Sequence, residues 1–274
     1  ELTISSKNMR TKDFSWNTDF IFSKTKNEIT DLKSHANVLS LISGNGFGRE
    51  GYPVRGLFSI PFAGLTEDGL PTFINQDGQK TISSFNFQEY EKLDFLKYEG
   101  PTDPTITGSF GNILTYKNLK LNVFVTYSFG NVIRLDPVFS NAYSDLDAMP
   151  KEFKNRWMKA GDENVTNIPT IVSTRMNQQY AYLNMAYNAY NYSDVRIADG
   201  GFIRLKEISL SYDLPAKVIN FFRLNKLQLK LQATNLCLLY ADSKLNGQDP
   251  EFFRSGGVST PVPKQFTFTV RLGL

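Results

Sequence analysis

The chain has a single cysteine, Cys237, so it can close no internal disulfide and hold no cysteine-based metal cluster. It also has a single histidine, His35, which excludes most zinc sites, two-histidine iron sites and H-E-x-x-H metalloproteases. No apolar run of about 18 residues occurs, so no spanning helix is expected. The first residues, ELTISSKNMR, do not read as a signal segment. Excess charge is missing too. Thirty basic and 27 acidic residues leave a net charge of +3, too even for binding nucleic acid mainly by charge. What the chain has in quantity is aromatic residues: 22 Phe, 13 Tyr and 2 Trp in 274, within a polar average (mean hydropathy −0.30). That combination fits a β-sandwich, a soluble β-barrel or an outer-membrane barrel.

Period-2 patterning dominates. After Lys117-Asn118, the residues Leu119, Leu121, Val123, Val125, Tyr127 and Phe129 occupy alternate positions, which marks a strand with one apolar face. Before it, Phe110, Leu114 and Tyr116 alternate, with Asn112 interrupting. A two-residue hairpin would set Tyr116 opposite Leu119, Leu114 opposite Leu121, Asn112 opposite Val123 and Phe110 opposite Val125. The two apolar patterns therefore agree in register. The same alternation runs through 14–23, 207–214, 227–234 and 265–274.

The second face of these strands is rich in Ser, Thr, Asn, Gln and Lys. In a soluble sandwich that face meets solvent, whereas in a lipid-embedded barrel it lines a wet lumen, so alternation leaves both open. Strands of about ten residues, aromatics near their ends, and connections alternating between short and long favour the membrane. Thr11-Lys12 and Lys117-Asn118 are tight turns, while 33–50, 130–194 and 239–262 are long and rich in turn pairs such as Asn45-Gly46 and Asn246-Gly247. One helix is expected, over Met149–Ala160, with Pro150 in its first turn and Gly161 as its stop.

Several phrases carry a family resemblance. Ile197-Ala198-Asp199-Gly200-Gly201-Phe202-Ile203-Arg204-Leu205-Lys206 is similar to R-x-I-E-D-G-S-Y-L-R-L-K, and Leu210–Pro215 to L-G-Y-x-L-P. Ala233-Thr234-Asn235-Leu236 followed by Gly247-Gln248-Asp249-Pro250-Glu251 is similar to x-x-N-L…G-x-D-P-E. Arg156-Trp157 with Gly161-Asp162-Glu163 resembles R-W-x-x-P-G-D-E, and Pro263–Phe268 resembles P-R-T-F-T-F before a terminal strand. Together these resemble the C-terminal part of a SusC/RagA-type TonB-dependent outer-membrane transporter. The resemblance implies an all-β chain: the C-terminal part of a large antiparallel transmembrane β-barrel of about 22 strands, about nine or ten of them here. It implies that residues 1–274 form one barrel segment with long extracellular loops, the plug domain and remaining strands lying elsewhere. It implies an outer-membrane nutrient importer, not an enzyme, working with a SusD-like lipoprotein, with TonB through the plug, and with oligosaccharide or oligopeptide substrates. The final Leu274 departs from the usual terminal aromatic. A self-contained β-barrel or β-sandwich binding module is the alternative.

Chemistry is sparse. Gly46-Phe47-Gly48-Arg49-Glu50-Gly51 fits G-x-G-x-x-G, but Tyr52-Pro53 cannot open the helix a dinucleotide site needs, so it reads as a loop. Asp145, Asp147, Asp162, Glu163, Asp249 and Glu251 are oxygen donors in loops without calcium-loop spacing, and no metal or cofactor is expected. No paired-carboxylate cleft is legible. Tyr180, Tyr182, Tyr187, Tyr190 and Tyr192, interleaved with Asn184, Asn188 and Asn191, are the candidate substrate contacts, since flat aromatics beside carboxamides grip sugars or peptides. Packing is the competing role for these tyrosines.

Overall fold

A computed structural model describes residues 1–44, 48–221, 224–253, 261 and 263–273. The Asn45-Gly46 turn, the start of the glycine-rich loop, Ser255–Gly257 and Leu274 lie outside the described residues. The chain divides into two compact units. Unit 1 holds residues 1–25, 104–130 and 200–274; unit 2 holds residues 26–103 and 131–199.

Unit 1 is a seven-stranded antiparallel sheet, in the order β1 (Leu2–Arg10), β2 (Phe14–Lys24), β8 (Ile106–Tyr116), β9 (Leu119–Phe129), β12 (Phe202–Asp213), β13 (Lys226–Ala241) and β14 (Gln265–Gly273). Every neighbouring pair is antiparallel, and as described the sheet is open, with β1 and β14 as its edges. The β8–β9 register is the one the alternation requires: Tyr116 opposite Leu119, Leu114 opposite Leu121, Asn112 opposite Val123 and Phe110 opposite Val125. Lys117 turns the hairpin in a left-handed conformation (φ 49°), and the Asn118 side chain donates to the Asp213 carbonyl at 2.7 Å.

Pairing carries one apolar stripe across all seven strands. Phe20 faces Phe110, Leu121 faces Leu210, Leu210 faces Leu231, and Leu231 faces Phe268. This stripe is not packed away. Phe266 is 77% exposed, and Leu231, Phe268, Val270, Leu272 and Phe110 are exposed as well. Among the described residues, Leu245 is the one buried hydrophobic residue of unit 1. A water-soluble sandwich buries its apolar face against a second layer; here the apolar face is exposed. Asn112, the interruption in the stripe, is bonded rather than stranded: its Oδ1 accepts from Trp16 Nε1 and Thr18 Oγ1, each at 2.8 Å.

The opposite face is a polar network. Glu207 accepts from Asn122 (3.2 Å) and Gln232 (3.1 Å), with Lys230 at 3.8 Å, while Ser5 donates to Asp19 at 2.6 Å. Near Glu207 both neighbouring registers slip. The bulge on β13 is built on Asn235 at φ 53°, a conformation asparagine tolerates better than most residues.

Unit 2 contains short strands only: β3 (Gly56–Ser59) pairs with β7 (Lys97–Pro101), β10 (Val132–Arg134) with β11 (Ile197–Asp199), and β4 (Phe62–Leu65), β5 (Pro71–Ile74) and β6 (Lys80–Thr81) form a small sheet. The seven long strands are thus fewer than the nine or ten expected, and the rest of the strand content is these short pieces. Helices α1 (Val38–Ser43), α2 (Thr174–Gln179) and α3 (Leu183–Asn191) belong to unit 2, and α4 (Ala216–Phe221) to unit 1. Asn37 and Ser40 form a reciprocal capping box that starts α1, and Gly44 at φ 69° ends it. The helix expected over Met149–Ala160 is only a 3-10 turn, Lys151–Asn155. The chain turns extended at Arg156, and the Trp157 amide donates to Ile168 instead of continuing a helix. The core of unit 2 joins Leu41 and Ile42 of α1, Phe58 and Phe73 of the strands, Ile60 between β3 and β4, and Ala186, Tyr187 and Tyr190 of α3.

Candidate functional site

The tyrosine-rich stretch folds as α2, a short break and α3. Apolar and aromatic residues at Leu183, Ala186, Tyr187 and Tyr190 recur at helical spacing and turn inward. Tyr187 is 1% exposed, and its hydroxyl donates to the Thr170 carbonyl. Tyr190 is 2% exposed and meets Phe139 edge-on at a centroid distance of 5.0 Å. Burial pushes both phenols far above their usual range. Tyr192 is half-buried beneath the Arg134 guanidinium, 5.5 Å from the ring centroid. Tyr187 and Tyr190 pack in the core and present no surface to a substrate, while Tyr192 is only half-buried.

Tyr180 and Tyr182 are placed differently. Both line an open cavity of about 870 Å³ together with Gln76, Lys80, Asn86 and Gln179. The Tyr180 hydroxyl donates to Asp68 at 3.1 Å, which fixes the ring and raises its pKa. Tyr182 is 70% exposed and sits at φ 62°, a conformation non-glycine residues seldom adopt. The lining mixes aromatic, carboxamide, hydroxyl and apolar side chains with one cation and no carboxylate, so it suits holding a ligand and offers no acid/base couple. Gln76, Lys80 and Asn86 carry no signal in the sequence, because the stretch 76–86 that holds them meets the tyrosine segment only in the folded chain. Asn191 is buried and grips Phe139 through both N and O, whereas Asn184 and Asn188 stay exposed.

The loop carboxylates do internal work. Asp249 clasps the buried Arg204 through both oxygens (2.5 and 2.7 Å), and Glu251 adds a contact at 3.2 Å. Two of the quoted phrases thereby meet in one ion-paired cluster. Glu163 accepts from the Trp157 indole (3.0 Å) and the Gly161 amide (2.8 Å), and Asp162 accepts from the Met158 and Lys159 amides. Asp147 accepts from the Ser144 amide. Among the described residues no group of three or more metal-ligating side chains converges. His35 and Cys237 are both exposed.

No family model matches the chain. It is 25% identical to TonB-dependent receptor P3 of Formosa agariphila over 92% of its own length and 24% of that protein. It is 24% identical to TonB-dependent receptor P26 of the same organism, over 100% of its own length and 28% of that protein. A solved structure of the RagAB peptide transporter matches 98% of the chain and 28% of its own, with a TM-score of 0.70 and 21% identity. The fold is that of part of a SusC/RagA-type TonB-dependent transporter. The chain spans about a quarter of the length of the curated relatives it matches. Another solved state of the same importer, described as open-open, matches 99% of the chain with a TM-score of 0.70 and 20% identity.

Proposed function

We propose that the chain is the C-terminal part of the barrel of an outer-membrane nutrient importer. The observation that carries this reading is the exposed apolar stripe running across seven strands, backed by a face of hydrogen-bonded polar side chains. In this reading the tight turns at Thr11 and Lys117 face the periplasm. The importer takes oligosaccharides or oligopeptides delivered with a SusD-like surface lipoprotein, and a plug domain couples it to TonB. No bond in the substrate is broken. Tyr180 and Tyr182 contact substrate at the cavity, with the carboxamides of Gln76, Asn86 and Gln179 bonding its polar groups. The test is uptake by cells carrying the full-length transporter with Tyr182→Ala. We expect normal amounts of protein in the outer membrane and reduced uptake of either an oligosaccharide or an oligopeptide mixture. Unchanged uptake of both would remove Tyr182 from the substrate path.

A further inference from the structure

Unit 2 contains a second cluster of charge, away from the tyrosine cavity. In the β3–β7 pair, Tyr98 faces Phe58 and Gly100 faces Leu57, so Glu99 is the extra residue of a bulge. A bulge re-aims its side chain, and this one turns a carboxylate inward. The Glu99 side chain is 9% exposed, and its Oε1 receives no hydrogen bond. Lys97 Nζ stands 3.6 Å from that oxygen, and 3.3 Å from Asp194 Oδ2. One ammonium therefore serves two carboxylates.

Asp194 is structurally committed elsewhere. Its Oδ1 accepts from the Phe62 amide at 3.1 Å, and its own amide donates to the Ile60 carbonyl at 3.2 Å. The Ile60 amide in turn donates to the Tyr192 carbonyl at 3.0 Å. These three bonds fasten the turn after α3 to the junction of β3 and β4. The remaining polar groups facing Glu99 are the Ser59 hydroxyl of β3 and, bonded to Ser59 at 3.1 Å, the Arg134 guanidinium of β10.

We propose that Glu99, Lys97 and Asp194 form a proton-responsive latch, which holds the turn after α3 on the β3–β4 junction more firmly at mildly acidic than at alkaline pH. When Glu99 is ionised, a buried negative charge lies beside Asp194 and competes with it for Lys97. When Glu99 takes up a proton, the competition ends and Lys97 pairs with Asp194 alone. Burial first, and then the Asp194 charge, push the Glu99 carboxyl above its usual range, against the pull of Lys97. A raised folded-state pKa in an acid means the folded latch binds its proton more readily than the unfolded chain does. Its contribution to stability is thus present at low pH and is lost as pH rises through the folded pKa. Lys97 keeps its charge throughout: burial disfavours it, but Glu99 and Asp194 outweigh that and hold its pKa above the usual lysine value.

The proposal needs no transport activity, so its test stands apart from that of the importer reading. Amide exchange in the full-length protein is measured at pH 4.5 and 7.5, corrected for intrinsic rates, at Ile60, Phe62 and Asp194. We expect greater protection at pH 4.5 in the unsubstituted protein. Glu99→Gln should give equal, high protection at both values, and Lys97→Met should lose protection chiefly at pH 7.5. Equal protection at both values in the unsubstituted protein would overturn the latch. So would a pH dependence that persists in Glu99→Gln while distant unit 2 amides keep normal protection.

Discussion

Placing an arginine at Val123 tests which face of the sheet meets the membrane. Val123 lies four residues beyond Leu119, the first residue after the tight turn, and faces Asn112 on one side and Ile208 on the other. At about 3.3 Å per residue and a tilt of about 45°, four residues rise about 10 Å. The apolar band of a barrel is about 25 Å tall, so Val123 stands near its middle. A cationic side chain there costs about 2–4 kcal/mol, a factor of about 30 to 900 in the folded-to-unfolded ratio. Asn122 is the next residue and points the other way, donating to Glu207. An arginine there meets a carboxylate and the wet face, and should cost at most about 1 kcal/mol. Urea titration of the full-length protein folded into lipid vesicles measures both. Equal costs at the two positions, or a larger cost at Asn122, would refute the assignment of faces.

Three other substitutions probe the packing. Arg204→Met leaves Asp249 buried and uncompensated and should destabilise the protein by about 3–5 kcal/mol; adding Asp249→Leu should recover most of that loss in a double-mutant cycle. Gly69 sits at φ 76°, and a Cβ there would strike the Trp157 ring, so Gly69→Ala should cost at least about 1–2 kcal/mol and shift the Trp157 fluorescence. Tyr187→Phe removes the bond to Thr170 and should cost about 1–2 kcal/mol in thermal unfolding, whereas Tyr182→Phe, at an exposed rim, should leave stability within about 0.5 kcal/mol.

Period-2 patterning was legible because a strand's two faces meet different surroundings, and each face keeps one composition. It placed six of the seven long strands, β1 being the exception, and even the residue-by-residue pairing of β8 with β9. Helices were less legible. The stretch around Phe153 has helical composition, yet the Trp157 amide donates to the Ile168 carbonyl rather than back into a helix, and that bond overrides local preference. The reverse holds for α3. Tyrosine and asparagine are indifferent helix formers, and the helix exists because Leu183, Ala186, Tyr187 and Tyr190 close a core drawn from other segments.

The sequence by itself determined most of the long strands, which residues share a face, and the register of the β8–β9 hairpin, since alternation is a local property that hairpin pairing must obey. Which tyrosines are reachable, which carboxylates are taken by Arg204, and how Glu99 comes to face Asp194 were decided only by the tertiary structure. Each of those outcomes depends on residues tens of positions apart arriving at one place. Segments without periodicity, such as 66–86 and 149–196, carry no pattern that predicts where they meet.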